Sequence, residues 1–404
     1  MIPTSAYLHI PFCRRRCFYC DFPISVIGDR KRGETSGAMA QYVDWLCQEI
    51  RATPKEAQPL RTVFFGGGTP SLLSVEQVIT LLATLQDSLN LTATAEISME
   101  MDPGTFTLAQ LQGFCDAGVN RISLGVQAFQ DELLQVCGRT HTVAQIEDAI
   151  AMVRETCGNF SLDLISGLPG QTLAQWEESL RVAIASHPTH ISTYDLVLEP
   201  TTVFGKRYQP GSQPLPTDDH AAQMYRLASQ RLSATGYRHY EVSNYARPSF
   251  ECRHNQVYWQ NEAYYGFGMG ATSYVNFQRF SRPRTREAYF TWVQSLVAAQ
   301  GQIDCPVDTL QDRLLETLML GLRLADGLQI EPLQQQFGSS SVARILDCLR
   351  SYPDWVAVDS IEGRVRLTDP EGFLFSNQVL VALWEALSDN EQDPSFQAAL
   401  YTRE

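Results

Sequence analysis

The chain has 404 residues, 44% of them hydrophobic and 10% aromatic, enough for one large α/β domain and a smaller companion. Its 45 acidic residues outnumber 31 basic ones, and the net charge of −14 repels a phosphate backbone, which excludes nucleic acid as a general partner. No run of eighteen apolar residues exists to span a membrane, and the N-terminus lacks the pattern of a secretory signal. The expected compartment is therefore the cytoplasm, with membrane contact at most transient.

In chain order, a β-rich run at Ala6–Ile10 leads into YLHIPFCRRRCFYCDF, which places Cys13, Cys17 and Cys20 within eight residues. Further β-rich runs follow at Thr62–Phe65, Ala95–Met99, Arg121–Leu124, Phe160–Ile165 and His190–Leu196. Helical patterns separate them. One face collects Val75, Val78, Ile79, Leu82, Leu85 and Leu89, and another runs from Leu173 through Trp176, Leu180 and Ile184. This alternation predicts parallel strands with right-handed crossovers, and six units make an α/β fold with a partial (β/α)6 barrel. Function in such a barrel collects at the carboxyl ends of the strands.

The unusual residues fall at those ends. The cysteines follow the first strand, GGGTPS (Gly66–Ser71) the second, and MEMDP with Glu100 the third. GVQAF with Gln127 follows the fourth, SGLPGQ comes just past Asp163 on the fifth, and Tyr194 and Asp195 end the sixth. Past Leu215 the pattern changes to one helix, a short strand near Tyr240 and a loop-rich stretch. From Leu310, helices precede a hairpin (Trp355–Val358 with Arg364–Leu367) and a last helix from Gln378. That is the outline of a small winged-helix-like domain without a basic recognition helix. The expected division is 1–214 for the barrel, 215–305 for an extension and 306–404 for the C-terminal domain.

Three thiolates so close together ligate either zinc, with His9 as a candidate fourth ligand, or an iron–sulfur cluster with one iron left open. Phe12, Phe18, Tyr19 and Phe22 would screen a cluster from water. The glycines of GGGTPS either admit a ligand close to the backbone or make a tight turn. No Gly-Lys-Ser/Thr follows, so this is not a phosphate loop. Two basic runs, Arg14–Arg16 and RFSRPRTR (Arg279, Arg282, Arg284 and Arg286), read as solvated loop charge or as clamps for an anionic small molecule. Cys47, Cys115, Cys137, Cys157 and Cys348 read as inert buried thiols.

The spacing Cys13-x-x-x-Cys17-x-x-Cys20, with an aromatic before the third cysteine, resembles the signature of radical S-adenosylmethionine proteins. With FGGGTPS, EMDP, GVQAF, LDLISGLPGQ and HNQVYW, the chain is similar over nearly its whole length to the family of coproporphyrinogen dehydrogenase and its heme-chaperone relatives. The resemblance implies a [4Fe–4S] cluster on Cys13, Cys17 and Cys20, whose open iron chelates the methionine end of S-adenosylmethionine. It implies that Tyr7, Gly67, Gly68, Thr69, Glu100, Gln127, Arg139 and Asp163 line the site of that cofactor. Carboxylates such as Glu100 and Asp163 accept from ribose hydroxyls or an α-amino group, and Arg139 suits a carboxylate.

Two departures turn the resemblance toward the heme-chaperone branch. Phe22 stands where the dehydrogenases carry a further cysteine, and only twelve residues precede Cys13. His254, Asn255, Tyr258 and Trp259 match the His-Asn-x-x-Tyr-Trp motif of the chaperones. That match implies bound heme with His254 as axial ligand, Tyr258 and Trp259 stacked on the macrocycle, and the later arginine run on its propionates. Cys252 is a competing thiolate, and Cys305 before Pro306 resembles a dipeptide of regulatory heme sites. The implied function is to bind heme and transfer it to acceptor proteins. The alternative is a radical oxidoreductase like the dehydrogenase.

Overall fold

The structure, a computed structural model, describes residues 2–29, 31–359 and 361–387, so the part of the expected C-terminal domain past 387 lies outside the described residues. Two compact units form. The first takes the chain as far as Arg238, then Asn244–Tyr258 and Glu262–Asp308; the second takes His239–Ser243, Trp259–Asn261 and the chain from Thr309.

Six parallel strands build the first unit: β1 (Ser5–Ile10), β2 (Leu60–Gly67), β3 (Leu91–Met101), β4 (Arg121–Gln127), β5 (Phe160–Ser166) and β6 (His190–Asp195). Each pairs with the next. The crossovers carry α1 (Gly37–Ala52), α2 (Val75–Leu89), α3 (Leu108–Asp116), α4 (Val143–Thr156) and α5 (Leu173–Ala185). Ser74 with Gln77, Thr142 with Gln145 and Thr172 with Gln175 form reciprocal capping boxes that start α2, α4 and α5.

Period-two alternation sorts each strand into two faces. Ala6, Leu8 and Ile10 of β1, Val63 and Phe65 of β2, and Ile97 and Met99 of β3 join the apolar core beneath the helices. The opposite face of those strands carries Tyr7 and His9, Thr62 and Phe64, and Glu96, Ser98 and Glu100, so the lumen is largely polar. On α2 the buried residues include Val78, Leu81, Leu82, Leu85 and Leu89, while Ile79 is 48% exposed. Leu81 replaces Ile79 on the expected face because it shares the i, i+3, i+4 stripe with Val78 and Leu85.

The segment read as an extension contributes to this unit. It adds α6 (Asp218–Ala234), β7 (Asn244–Ala246), α7 (Arg253–Trp259), β8 (Tyr265–Phe267) and α8 (Arg286–Ala298). β7 runs antiparallel to β6, and β8 adds in parallel to β1. Among the described residues no ladder joins β7 to β8, and the barrel stays open. α7, up to Tyr258 in this unit, is a short helix inside a stretch that reads as loop.

In the second unit lie α9 (Leu310–Gly321), β9 (Leu328–Gln329), α10 (Ile330–Phe337), α11 (Ser339–Leu349), β10 (Val356–Asp359), β11 (Arg364–Leu367) and α12 (Ser376–Leu387). Its sheet has the order β9-β11-β10, so a third short strand joins the expected hairpin. Among the described residues no helix is long and apolar enough to cross a membrane.

Candidate cofactor site at the carboxyl ends of the strands

Residues from the expected segments meet where β1 to β5 end. The Gly67 N–H donates to Glu100 Oε2 at 2.9 Å. Gly67 has φ +108°, and a Cβ there would lie 2.4 Å from the His9 ring. A Cβ on Gly68 would lie 2.8 Å from the carbonyl oxygens of Ile10 and Phe12. Both glycines thus serve close packing within the chain. The Gly68 and Thr69 N–H groups donate to Ile10 O and Phe12 O at 2.9 and 2.8 Å, which binds this loop to the start of the cysteine segment.

Thr69 Oγ1 faces both Cys13 Sγ, at 3.7 Å, and Asp102 Oδ2, at 3.0 Å. Asp102 also forms an ion pair with Arg139, whose guanidinium reaches Gly125 O at 3.1 Å and Cys17 Sγ at 3.4 Å. Asp102 is a site residue that the sequence reading misses. Its signal was present: it sits two residues past Glu100 in MEMDP and so points the same way along an extended chain. A Cβ on Gly125 would lie 2.9 Å from Asp102, 3.0 Å from Gln127 and 3.4 Å from Arg139. That glycine leaves room for the three side chains to meet. Gln127 has φ 69° and follows a register shift against β5, so a left-handed residue ends β4 at the site.

Two carboxyls line the same region. Burial pushes Glu100 up to about 8, and the neighbouring charges of Asp163 and Asp102 add to this while the Gly67 N–H opposes it. Asp163 accepts from Ser123 Oγ at 2.8 Å and Ser161 Oγ at 3.0 Å. Burial raises its pKa, and the hydroxyls around it pull the other way.

The cysteine loop fits a cluster. Cys13, Cys17 and Cys20 are half-buried free thiols. Burial holds the Cys13 thiol up at about 12, so ligation must displace its proton. Thr69 on Cys13 and Arg139 on Cys17 are placed to compensate thiolate charge. Zinc fits less well, because its candidate fourth ligand is already engaged within the chain. His9, the candidate fourth ligand, is committed on both sides. Its Nε2 lies 3.0 Å from Pro23 O and its Nδ1 3.0 Å from Tyr7 OH. A carbonyl only accepts, so Nε2 carries the proton and Nδ1 accepts from Tyr7.

The basic runs are used within the chain. Arg14 donates to Gly104 O at 3.0 Å, Arg15 pairs with Asp29, and Arg16 donates to Cys20 O and Phe22 O at 3.2 and 3.0 Å. Arg282 is buried against Glu49 at 2.7 Å, Arg284 donates to Asp21 O at 2.7 Å, and Arg279 to Tyr264 OH at 2.9 Å. These three guanidiniums hold loops and core together within the chain.

The expectation for HNQVYW also needs correction. His254 is 1% exposed, with Nδ1 2.8 Å from Thr62 Oγ1 and Nε2 2.8 Å from Tyr258 OH. Burial pushes its pKa down to about 3. Neither nitrogen is presented to a ligand, so this arrangement does not fit an axial ligand of heme. Cys252 is fully buried, its thiol facing Glu96 Oε1 at 3.7 Å and pushed up to about 12 by burial. The N–H groups of Arg253 and His254 donate to the Glu96 carboxylate at 3.1 and 3.0 Å, and Arg253 reaches Thr94 O and Arg61 O. The start of α7 is therefore anchored on the amino-terminal halves of β2 and β3, away from the carboxyl ends of the strands. Thr62 and Gly67 are five residues apart on β2, roughly 17 Å along an extended strand. Cys305 is half-buried, and its thiol donates to Arg279 O at 3.2 Å.

Comparison with known proteins agrees with this geometry. A model of the Radical SAM superfamily matches residues 7–183, and one of the HemN C-terminal domain matches residues 308–375. Heme chaperone HemW of Synechocystis sp. is 47% identical over an alignment covering 96% of this chain and 98% of that protein. HemW of Bacillus subtilis is 35% identical, covering 94% and 98%. Among solved structures, coproporphyrinogen III oxidase (HemN) from Escherichia coli, a radical SAM enzyme, superposes with a TM-score of 0.77 over 94% of this chain and 90% of that one, at 24% identity. With the cysteine loop, glycine loop and carboxylate rim arranged on this barrel, the chain belongs to the heme chaperone HemW family within the radical SAM superfamily.

Proposed function

We propose that the protein binds heme as cargo and hands it to acceptor proteins in the cytoplasm. Cys13, Cys17 and Cys20 hold a [4Fe–4S] cluster, and Tyr7, Gly67, Gly68, Thr69, Glu100, Gln127, Arg139 and Asp163 line an S-adenosylmethionine site. The observation that carries the chaperone reading is the 47% identity to a heme chaperone across 96% of the chain. The cluster would supply one-electron chemistry and a chelating iron. The chain's own residues do the rest. Glu100 offers a carboxyl to a cationic or hydroxyl donor, Asp163 presents an acceptor already oriented by Ser123 and Ser161, and Arg139 and Thr69 steady the sulfurs. The heme ligand is not assigned to His254 or Cys252, since both are buried and engaged.

Anaerobic reconstitution followed by heme titration tests this reading. A cubane on three cysteines requires ~4 irons per chain, lost on replacing Cys13, Cys17 or Cys20 by Ala but kept in Cys47→Ala. Heme should give a saturable Soret band and then move to an apo-hemoprotein added in excess. A chain that takes up no heme, yet forms protoporphyrinogen from coproporphyrinogen with reductant and S-adenosylmethionine, would reverse the choice in favour of the dehydrogenase.

A further inference from the structure

The buried histidine of HNQVYW lies at the foot of a column of rings that leads to the candidate cofactor site. The His254 ring stacks on Phe64 with centroids 5.2 Å apart and planes at 27°. Phe64 in turn stacks on Tyr7 at 6.3 Å and 22°. At the top of the column Tyr7, Phe64 and Glu100 close over Gly66, where a Cβ would lie 2.8 Å from Tyr7, 3.0 Å from Phe64 and 3.2 Å from Glu100. The absence of a side chain on Gly66 is what lets these three groups gather there, and a Cβ would push them apart.

The foot of the column is fixed from several sides. Thr62 holds one imidazole nitrogen to β2, and Tyr258 holds the other to α7. Tyr258 is itself wedged edge-on between His254, at 5.1 Å, and Tyr264, at 4.6 Å. Glu96 of β3 accepts the His254 N–H. Removing the imidazole would leave a void under Phe64 and two buried hydroxyls without their partner.

We propose that His254 is a positioning residue, which from the floor of the barrel holds the Phe64–Tyr7 stack so that Tyr7 stands beside Glu100 at the cofactor site. The proposal rests on the reading of Tyr7 and Glu100 as S-adenosylmethionine residues. It gives the His-Asn-x-x-Tyr-Trp segment a role that needs no metal at the imidazole. Any ligand that took Nε2 would have to break the bond to Tyr258 first.

The test measures S-adenosylmethionine affinity by equilibrium dialysis, together with iron content and the heme Soret titration, on anaerobically reconstituted protein. His254→Ala should weaken S-adenosylmethionine about tenfold, since two buried hydrogen bonds and a ring contact go, with iron and heme uptake unchanged. His254→Gln, which can still donate and accept, should restore most of that loss, a rescue that a residue needed only for bulk would not show. If His254→Ala and His254→Gln both lose the Soret band while S-adenosylmethionine affinity holds, the histidine is a heme ligand and the proposal is overturned. Should His254→Ala not fold, Tyr258→Phe removes only the hydroxyl on Nε2 and should weaken S-adenosylmethionine about threefold; unchanged affinity there also overturns it. Glu100→Gln separates the two layers. If it weakens S-adenosylmethionine while the His254 variants do not, positioning alone fails. If it has no effect, the site reading fails and the proposal falls with it.

Discussion

Arg139 shares its guanidinium among Asp102, Gly125 O and Cys17 Sγ, and the side chains of Arg139 and Asp102 are only 8% and 26% exposed. Desolvation opposes such a buried charge, and Asp102, Tyr19 and Cys17 together outweigh that cost. Asp102→Asn removes the compensation and should cost about 2 kcal/mol in urea unfolding, less than for a fully enclosed pair because Asp102 is partly solvated. Asp102→Glu should recover part of it. Glu100 invites a different measurement. With its pKa at about 8, the carboxyl is mostly protonated at neutral pH. A cationic amino group brought against it stabilises the ionised form, so binding should expel a proton and tighten as pH rises toward 8. Calorimetry at pH 7 in two buffers of different ionisation enthalpy reads that proton directly. Equal heats in both buffers would count against Glu100 as the partner of the amino group.

At the scale of elements, the turn from β2 into α2 is shaped by what lies beside it. A Cβ on Gly68 would meet the Ile10 and Phe12 backbone, which cannot swing aside as a side chain can. Gly68→Ala should therefore cost about 3 kcal/mol and depress cluster yield, because the displaced backbone leads straight into Cys13. Gly37 is a control from the first turn of α1, with nothing within 4 Å of its Cβ position. Gly37→Ala should leave cluster content unchanged and raise the thermal midpoint slightly, by the equivalent of about 0.5 kcal/mol. A Gly68→Ala protein as stable as wild type would show that the loop relaxes more easily than its packing suggests.

Over the whole molecule, several histidines are buried in the neutral form. Burial lowers His9 and His141 to about 4 and His254 to about 3 from the usual histidine value of about 6.5, and lowers His190 as well. The unfolded chain binds protons at these positions where the folded one does not. Stability should therefore fall as pH drops from 6.5 toward 4, by as much as about 1.4 kcal/mol per pH unit for each histidine. Glu100 and Asp163 act in the opposite sense. Their raised values favour the folded state at low pH, and that share is lost as pH climbs through the folded values. Urea midpoints between pH 4 and 8 should trace a steep acid limb, and a flat profile below 6.5 would contradict the burial of these rings.

Strand and helix order, the placement of chemistry at one rim, and the cysteine and glycine motifs were determined by the sequence itself. Each is written within a dozen consecutive residues, as a period of two or 3.6 or as a fixed spacing. The tertiary structure decided what those residues touch. It joined Thr62 to His254 across 192 positions and Glu49 to Arg282 across 233, so that both side chains find partners inside the protein. It also added Asp102, whose importance depends on Arg139 arriving 37 residues later. No local pattern encodes such meetings. They follow from which faces pack together, and burial then fixes whether a polar group serves a ligand or the protein's own interior.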